Sequence, residues 1–337
     1  MCADFVSIVT CTYNRVQFYE NLKKLVSYQD YPHDRLEWII VDDSPLSYPD
    51  KFPVYLEGIS VRYFHLKQKI QLGKKRDFVN MLAKGKYIVN MDDDDFYPPC
   101  RVSHAVENLI KSGYPLAGST TLFMYFCKDR KIYQFGPYST SHATAATLAY
   151  TKAYADTHTF FDPSNGNYAE ESAFTENGKT PMIQLDPTKV VLAVSHTDNT
   201  IEKTMFLEEK YGQIGRTITL TSFQLSDFIK HDDIYNFYLA IPYEYKLNDV
   251  SKEVRTILEK RVSSALTSAS ALTSASTSSS TSASLTSAST STLTSASALT
   301  SASTLPLSKE HQIFNRMVAD INTLTDWTAR KIGLKLS

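Results

Sequence analysis

The chain has 337 residues, 42% hydrophobic and 12% aromatic, enough for one large or two ordinary domains with a packed core. A formal net charge of −1 argues against a nucleic-acid partner, which would need a basic surface, and no motif for binding RNA or DNA is present. Cys2, Cys11, Cys100 and Cys127 have no paired metal-ligand or redox spacing and suit reduced thiols. No run of about 18 apolar residues occurs and a strand pattern begins at Phe5, so we expect no membrane span, no cleaved leader and a cytoplasmic setting.

In chain order, strand patterns at Phe5 to Cys11, Glu37 to Val41, Val61 to Leu66 and Tyr87 to Met91 alternate with helical spacing near Phe18 to Tyr28 and Lys74 to Ala83. This is the rhythm of βαβ units, and it predicts an α/β fold with a mostly parallel sheet flanked by helices. A helix over Arg101 to Lys111 follows, then strand candidates at Leu116 to Phe126, Lys131 to Phe135, Ala145 to Tyr150 and Val190 to Ser195, so the second half reads as mixed or antiparallel. Residues 1–245 are expected to form the catalytic domain and 246–263 a helical extension.

From Ala265 to Thr304 the composition turns to Ser, Thr, Ala and Leu, with Leu-Thr-Ser-Ala-Ser recurring five times and no charge. So little apolar surface does not offset chain entropy, and 264–305 reads as a disordered spacer. Beyond it, Ile313, Phe314, Met317, Val318, Ile321, Leu324 and Trp327 fall at helical spacing and predict an amphipathic helix within 306–337. Docking in cis, binding a partner and touching a membrane surface are equally compatible with it.

The most informative feature is Asp92-Asp93-Asp94-Asp95, set between the apolar run Tyr87 to Met91 and Phe96-Tyr97-Pro98-Pro99. Adjacent carboxylates repel, so gathering them at a strand end calls for a compensating cation or full exposure to water. Charge runs are often solvated faces, but in open α/β sheets the carboxyl ends of strands are where ligands bind.

Several motifs together resemble the family 2-like glycosyltransferases of the GT-A, Rossmann-like fold. Val9-Thr10-Cys11-Thr12-Tyr13-Asn14-Arg15 resembles their first-strand signature, with Cys11 in place of a more usual Pro. Ile39-Ile40-Val41-Asp42-Asp43-Ser44 resembles the second. Gly73-Lys74-Lys75-Arg76-Asp77, with Asp77 in place of Asn, and Ala83 to Ile88 resemble the block that leads into the DxD motif, here within Met91 to Pro99. The resemblance covers about the first 200 residues.

The resemblance implies an inverting, Mn2+- or Mg2+-dependent enzyme that uses a nucleotide-diphosphate sugar, UDP-sugar favoured, and a glycan, protein or other hydroxyl acceptor. It implies metal ligation by Asp92 and Asp94, with Asp94 the direct ligand and His196 a third. It places Thr10, Thr12 and Asp43 around the nucleoside and Arg76 near the base or phosphates, with Asp92 also on the donor side. In Ala169-Glu170-Glu171-Ser172-Ala173-Phe174 it makes Glu171 the general base, with Glu170 as the fallback. Read without the resemblance, the same residues serve as strand-end hydroxyls, a helix cap at Asp43, a surface Arg, acids in a first helical turn and a hydrogen-bonded structural His. A non-catalytic sugar-binding scaffold and a nucleotidyltransferase are the competing functions; the latter usually carries a Gly-rich phosphate loop, which is absent near the N-terminus.

Overall fold

The structure is a computed structural model that describes residues 3–163, 169–208 and 218–246, with 251–252, 254–256, 259–260 and 263. The expected spacer and terminal helix lie outside the described residues.

The chain opens with β1 (Val6–Thr12), α1 (Tyr19–Ser27), β2 (Leu36–Asp42), β3 (Tyr55–Leu56), β4 (Ile59–His65), α2 (Leu72–Leu82), β5 (Tyr87–Asn90) and α3 (Arg101–Ser112). It continues through β6 (Leu116–Gly118), β7 (Leu122–Phe126), β8 (Lys131–Phe135), β9 (Ala149–Thr151), α4 (Lys152–Ala155), α5 (Glu170–Phe174), β10 (Met182–Gln184) and β11 (Leu192–Ser195). β12 (Ile218–Leu220), α6 (Leu225–Phe228) and α7 (Asp232–Ala240) follow.

The strands form an eight-stranded sheet ordered β10-β6-β9-β5-β1-β2-β4-β3 and a four-stranded sheet ordered β11-β7-β8-β12. β5, β1, β2 and β4 pair in parallel, as the alternating strand and helix patterns require. β9 runs antiparallel between β5 and β6, so the sheet is mixed.

Burial explains why these segments take these forms. Val6, Ile8, Trp38, Ile40 and Val89 share a core with Tyr19, Leu22, Leu25 and Val26 of α1 and with Val102, Ala105, Val106 and Leu109 of α3, at three-and-four spacing. The intervening Val9, Ile39, Val41 and Ile88 are equally buried and by alternation face the other way. α2 packs on β1 and β2. α3 ends at Gly113, whose φ of +69° supplies the left-handed cap.

Two expected strands are redrawn. Leu116 to Phe126 divides at Ser119 into β6 and β7, which belong to different sheets. Ser119 N–H donates to the Thr147 hydroxyl and Thr120 N–H to the Gln184 amide oxygen, so side chains take over where the ladder breaks. Ala145 to Tyr150 begins as a helical turn and becomes β9 only at Ala149.

Gly85 sits where β5 approaches β1. A Cβ there would lie 2.3 Å from Ser7 N and 2.7 Å from Tyr87 O. Gly85→Ala is therefore expected to destabilise the protein by about 1–3 kcal/mol, the range for forced overpacking. A thermal melt within about 1 °C of wild type would show instead that this backbone yields freely.

Candidate functional site

A cleft of about 430 Å³ opens where β1 and β5 end, lined by the acids Asp92, Asp93, Asp94 and Asp198 and the cations Arg15, Lys69, Lys75 and Arg76. Its charge is thus balanced by residues from the loop after β1, the segment entering α2 and α2 itself, the acidic turn and the turn after β11.

The acidic run is not an extension of β5. That strand stops at Asn90 and the chain turns, its geometry set by bonds to distant elements. Asp92 N–H donates to Tyr97 Oη at 2.6 Å, and Phe96 exchanges backbone hydrogen bonds with Leu192 at 3.0 and 2.9 Å. Asp95 accepts Val194 N–H at 2.8 Å, and Tyr238 Oη donates to its carbonyl at 2.7 Å. Alternation along an extended chain would put Asp92 and Asp94 on one face; the turn sends their carboxylates to different partners.

Arg76 engages Asp92 in a two-pronged contact, Nη1 to Oδ1 at 3.1 Å and Nη2 to Oδ2 at 3.2 Å. Asp94 Oδ2 accepts from His196 Nε2 at 3.0 Å and from Asn199 Nδ2 at 3.2 Å, with Arg15 Nε at 3.6 Å. Burial pushes the Asp94 carboxyl upward, but the His196 hydrogen bond and the charges of His196, Arg15 and Lys203 prevail and hold it below the usual carboxylate range. Asp93 and Asp95 are pushed up, by burial first and with the charge of Asp94 adding to it. An ionised Asp94 beside a reluctant Asp93 and Asp95 is what crowding of like charges predicts.

His196 lies directly after β11, 2% exposed, its ring 4.9 Å from that of Phe18. Asp198 N–H donates to its Nδ1 at 3.2 Å, while Nε2 faces Asp94 Oδ2 at 3.0 Å and the Asn199 amide nitrogen at 2.9 Å. The turn is closed by His196 N–H donating to Asn199 Oδ1 at 2.8 Å.

The residues expected around the nucleoside divide. Thr12 lines the cleft, whereas Thr10 is buried behind it, donating to Met91 O at 2.7 Å and accepting from Trp38 Nε1 at 3.0 Å. Asp43 is 2% exposed; one oxygen accepts Ile70 N–H at 2.8 Å and the other is paired with Lys75. Lys75 also donates to Thr12 O at 2.9 Å, tying α2 to the end of β1.

On the opposite side of Arg76, Nε donates to Glu170 Oε1 at 2.9 Å. Glu170 and Glu171 stand in the first turn of α5, after Ala169 at φ +55°. Glu171 is half-buried, and its carboxyl is pushed up to about 8, by burial first and the Glu170 charge second. Asp77, where Asn is commoner in the resembled block, accepts Phe160 N–H at 2.7 Å, Phe161 N–H at 3.2 Å and the Thr159 hydroxyl, so it braces the segment ahead of α5.

The structure therefore gathers Thr12, Arg76, Asp92 and Asp94 at one cleft, joins Glu170 to it through Arg76, and joins His196 to it through Asp94. It adds Arg15, Lys69, Lys75 and Asn199, for which sequence reading assigned no role. The signal was position: Arg15 and Lys75 lie inside motifs already recognised. Tyr13 and Lys69 form a further pair, Lys69 Nζ lying 3.8 Å from the ring centroid.

Residues 7–154 match the family model described as "Glycosyl transferase family 2". This segment is similar to that family. The chain is also similar to the putative colanic acid biosynthesis glycosyl transferase WcaA of Escherichia coli (strain K12), with 35% identity over 100 residues, 29% of this chain and 35% of WcaA. The match thus spans about a third of that relative's length. Among solved structures, the chain is similar to S. aureus TarS 1-349 in complex with UDP-GlcNAc, at 18% identity over 58% of this chain and 60% of that one, TM-score 0.46. It is similar as well to the mannosyltransferase PcManGT from Pyrobaculum calidifontis in complex with GDP-Man and Mn2+, at 13% identity over 71% and 70%, TM-score 0.47. Among the described residues no helix is long and apolar enough to cross a membrane.

Proposed function

We propose that the chain is a metal-dependent, inverting glycosyltransferase that moves a sugar from a nucleotide-diphosphate sugar, a UDP-sugar by preference, to the hydroxyl of a glycan, protein or other acceptor. The observation that carries this reading is one cleft, lined largely by the family-matched segment, where the acidic turn meets Arg15, Lys75 and Arg76, with Glu170 joined to it through Arg76 and Glu171 next to Glu170 in the same helical turn. The free thiols Cys11, Cys100 and Cys127 suit a cytoplasmic setting.

The donor set fits a hard divalent ion in part. Asp94 is held ionised and faces the cleft, whereas both oxygens of Asp92 are engaged by Arg76. His196 would ligate only through an Nε2 that carries no proton, the nitrogen that here faces Asp94. Among the described residues no group of three or more His, Cys, Asp and Glu side chains is arranged to hold a metal. A site of this kind takes its remaining ligands from substrate phosphates and water, as Mg2+ commonly does. Bound at Asp94, such an ion supplies neutralising charge for the leaving diphosphate.

The chain's own residues account for the rest. Arg15 and Lys69 at the cleft stabilise the donor's anionic groups, and Glu171 takes the proton of the acceptor hydroxyl as that oxygen attacks the anomeric carbon. A carboxyl pushed up to about 8 is a strong enough base for this work near neutral pH. Glu170, already paired with Arg76, is the poorer candidate.

Calorimetric titration with UDP, GDP and dTDP, each with Mn2+ and with a chelator, tests the proposal. Metal-dependent binding of one nucleotide is expected, with UDP favoured. Absence of binding under every condition would return the chain to the reading of a non-catalytic scaffold.

A further inference from the structure

Glu171 sits on a helix that cannot hold itself in place. α5 has five residues, far too few for an isolated helix in water, and it follows a residue with positive φ. Its position must come from packing: Phe174 lies against Tyr150 and Tyr154, Tyr154 Oη donates to Phe174 O at 2.6 Å, and two further contacts bear on the residues around Glu171. Phe174 stacks on Phe160 with centroids 3.8 Å apart and an interplanar angle of 7°. Glu170 takes the Nε hydrogen bond of Arg76 at 2.9 Å.

These two contacts, through Phe160 and Arg76, lead back to α2. Phe160 lies 5.9 Å beneath the Arg76 guanidinium, and its N–H is held by Asp77 of the same helix. Gly73, also in α2, lets the backbone come close: a Cβ there would lie 2.6 Å from Phe160 O. Arg76 is 4% exposed, and its orientation is fixed from the far side by the two-pronged contact with Asp92. The chain of contacts Asp92, Arg76, Glu170 therefore runs unbroken from the acidic turn, through α2, to the residue next to Glu171.

We propose that Arg76 and Glu170 are positioning residues, whose ion pair, fixed by Asp92, sets the helix bearing Glu171 against the acidic turn. On this account Arg76 acts through its partners and is not a contact of the nucleotide base, and Asp92 serves this pair before it serves a cation. The inference rests on the transferase reading only for its kinetic consequence; the mechanical link between α2 and α5 stands without it.

Glu170→Gln in the full chain is the direct test, because it keeps the side chain's size and removes its charge. Hydrogen exchange of the α5 amides is the first readout, led by Thr175 N–H, which donates to Glu171 O at 2.9 Å. Loss of a buried charge-assisted bond is expected to speed their exchange about tenfold or more, with exchange in β1 and β5 unchanged. Arg76→Lys, which retains charge but loses the fork, should show the same local effect, and the double variant should add little to either single one. Unchanged α5 exchange in Glu170→Gln would overturn the proposal, as would fully additive effects in the double variant.

Hydrolysis of UDP-GlcNAc and of GDP-mannose by the wild type and Glu170→Gln is the second readout. Where the wild type turns a donor over, kcat is expected to fall about 10- to 100-fold with the donor KM within about twofold, since misplacing a reacting group by about 1 Å costs on that scale. A KM that rises as far as kcat falls would put the pair in the donor pocket and overturn it. A wild type that hydrolyses neither donor would count against the transferase reading, and the exchange measurement would still decide the link.

Discussion

Glu171→Gln is expected to lower sugar transfer by about two to four powers of ten while leaving nucleotide binding nearly intact, the signature of a lost general base. The argument is local: Glu170 is already committed to Arg76, so Glu171 is the carboxylate of α5 left to accept a proton. Its pH profile sharpens the test. With the carboxyl pushed up to about 8, kcat/KM should climb with pH to a plateau above that value, and this limb should vanish in the variant. Stability should run the other way. Glu171 binds its proton more tightly folded than unfolded, where its ordinary value is 4.5, so the wild type loses stability as pH rises from there to about 8. The variant should melt with the wild type near pH 4.5 and above it at pH 8.5 or so. Normal turnover in Glu171→Gln would move the role elsewhere, with Glu170 the next residue to test.

Asp94→Asn is expected to weaken Mn2+-dependent nucleotide binding by about a hundredfold or more, since disturbing even an outer partner of a metal ligand costs 10- to 100-fold. The amide keeps an acceptor for His196 and Asn199, so the turn at 196–199 should survive, and a near-wild-type circular dichroism spectrum would confirm that it does. Asp92→Asn is the informative companion. Its carboxylate is already occupied by Arg76, so its loss should reduce turnover more than it reduces metal affinity. Unaltered nucleotide affinity in Asp94→Asn would exclude Asp94 as the metal ligand.

The parallel half of the fold was legible because its strands are buried on both faces and its helices on one, which leaves apolar runs and three-and-four spacing in plain view. β1, β2, β5 and α3 fall within one or two residues of their expected limits for that reason. The short strands were not legible. β10 and β12 have three residues each and owe their form to neighbours far away in the chain, Leu116–Gly118 for one and Tyr133–Phe135 for the other. The site followed the same division. Motif order pointed to Asp94, Arg76 and Glu171, but no local pattern says that Arg76 joins residues 92 and 170, or that Asp95 is consumed in binding β11. Those bonds span 94 and 99 positions of sequence, one joining α2 to α5 and the other reaching β11 of the second sheet.

Lys75, Arg76 and Asp77 are consecutive on α2, yet each serves a different neighbour: the end of β1 with Asp43, the acidic turn with α5, and the segment at 159–161. Successive helical residues differ in direction by about 100°, so these three divide the helix's circumference among three parts of the protein. Inserting or deleting one residue between Gly73 and Arg76 would turn the whole set by that angle and misdirect every one of these bonds at once. Substitution at this helix can be graded, Lys for Arg or Asn for Asp, but a change of length cannot. In a library of random variants, the stretch from Gly73 to Asp77 should therefore tolerate some point changes and no single-residue insertion or deletion, whereas the exposed loop around Leu46 should accept both.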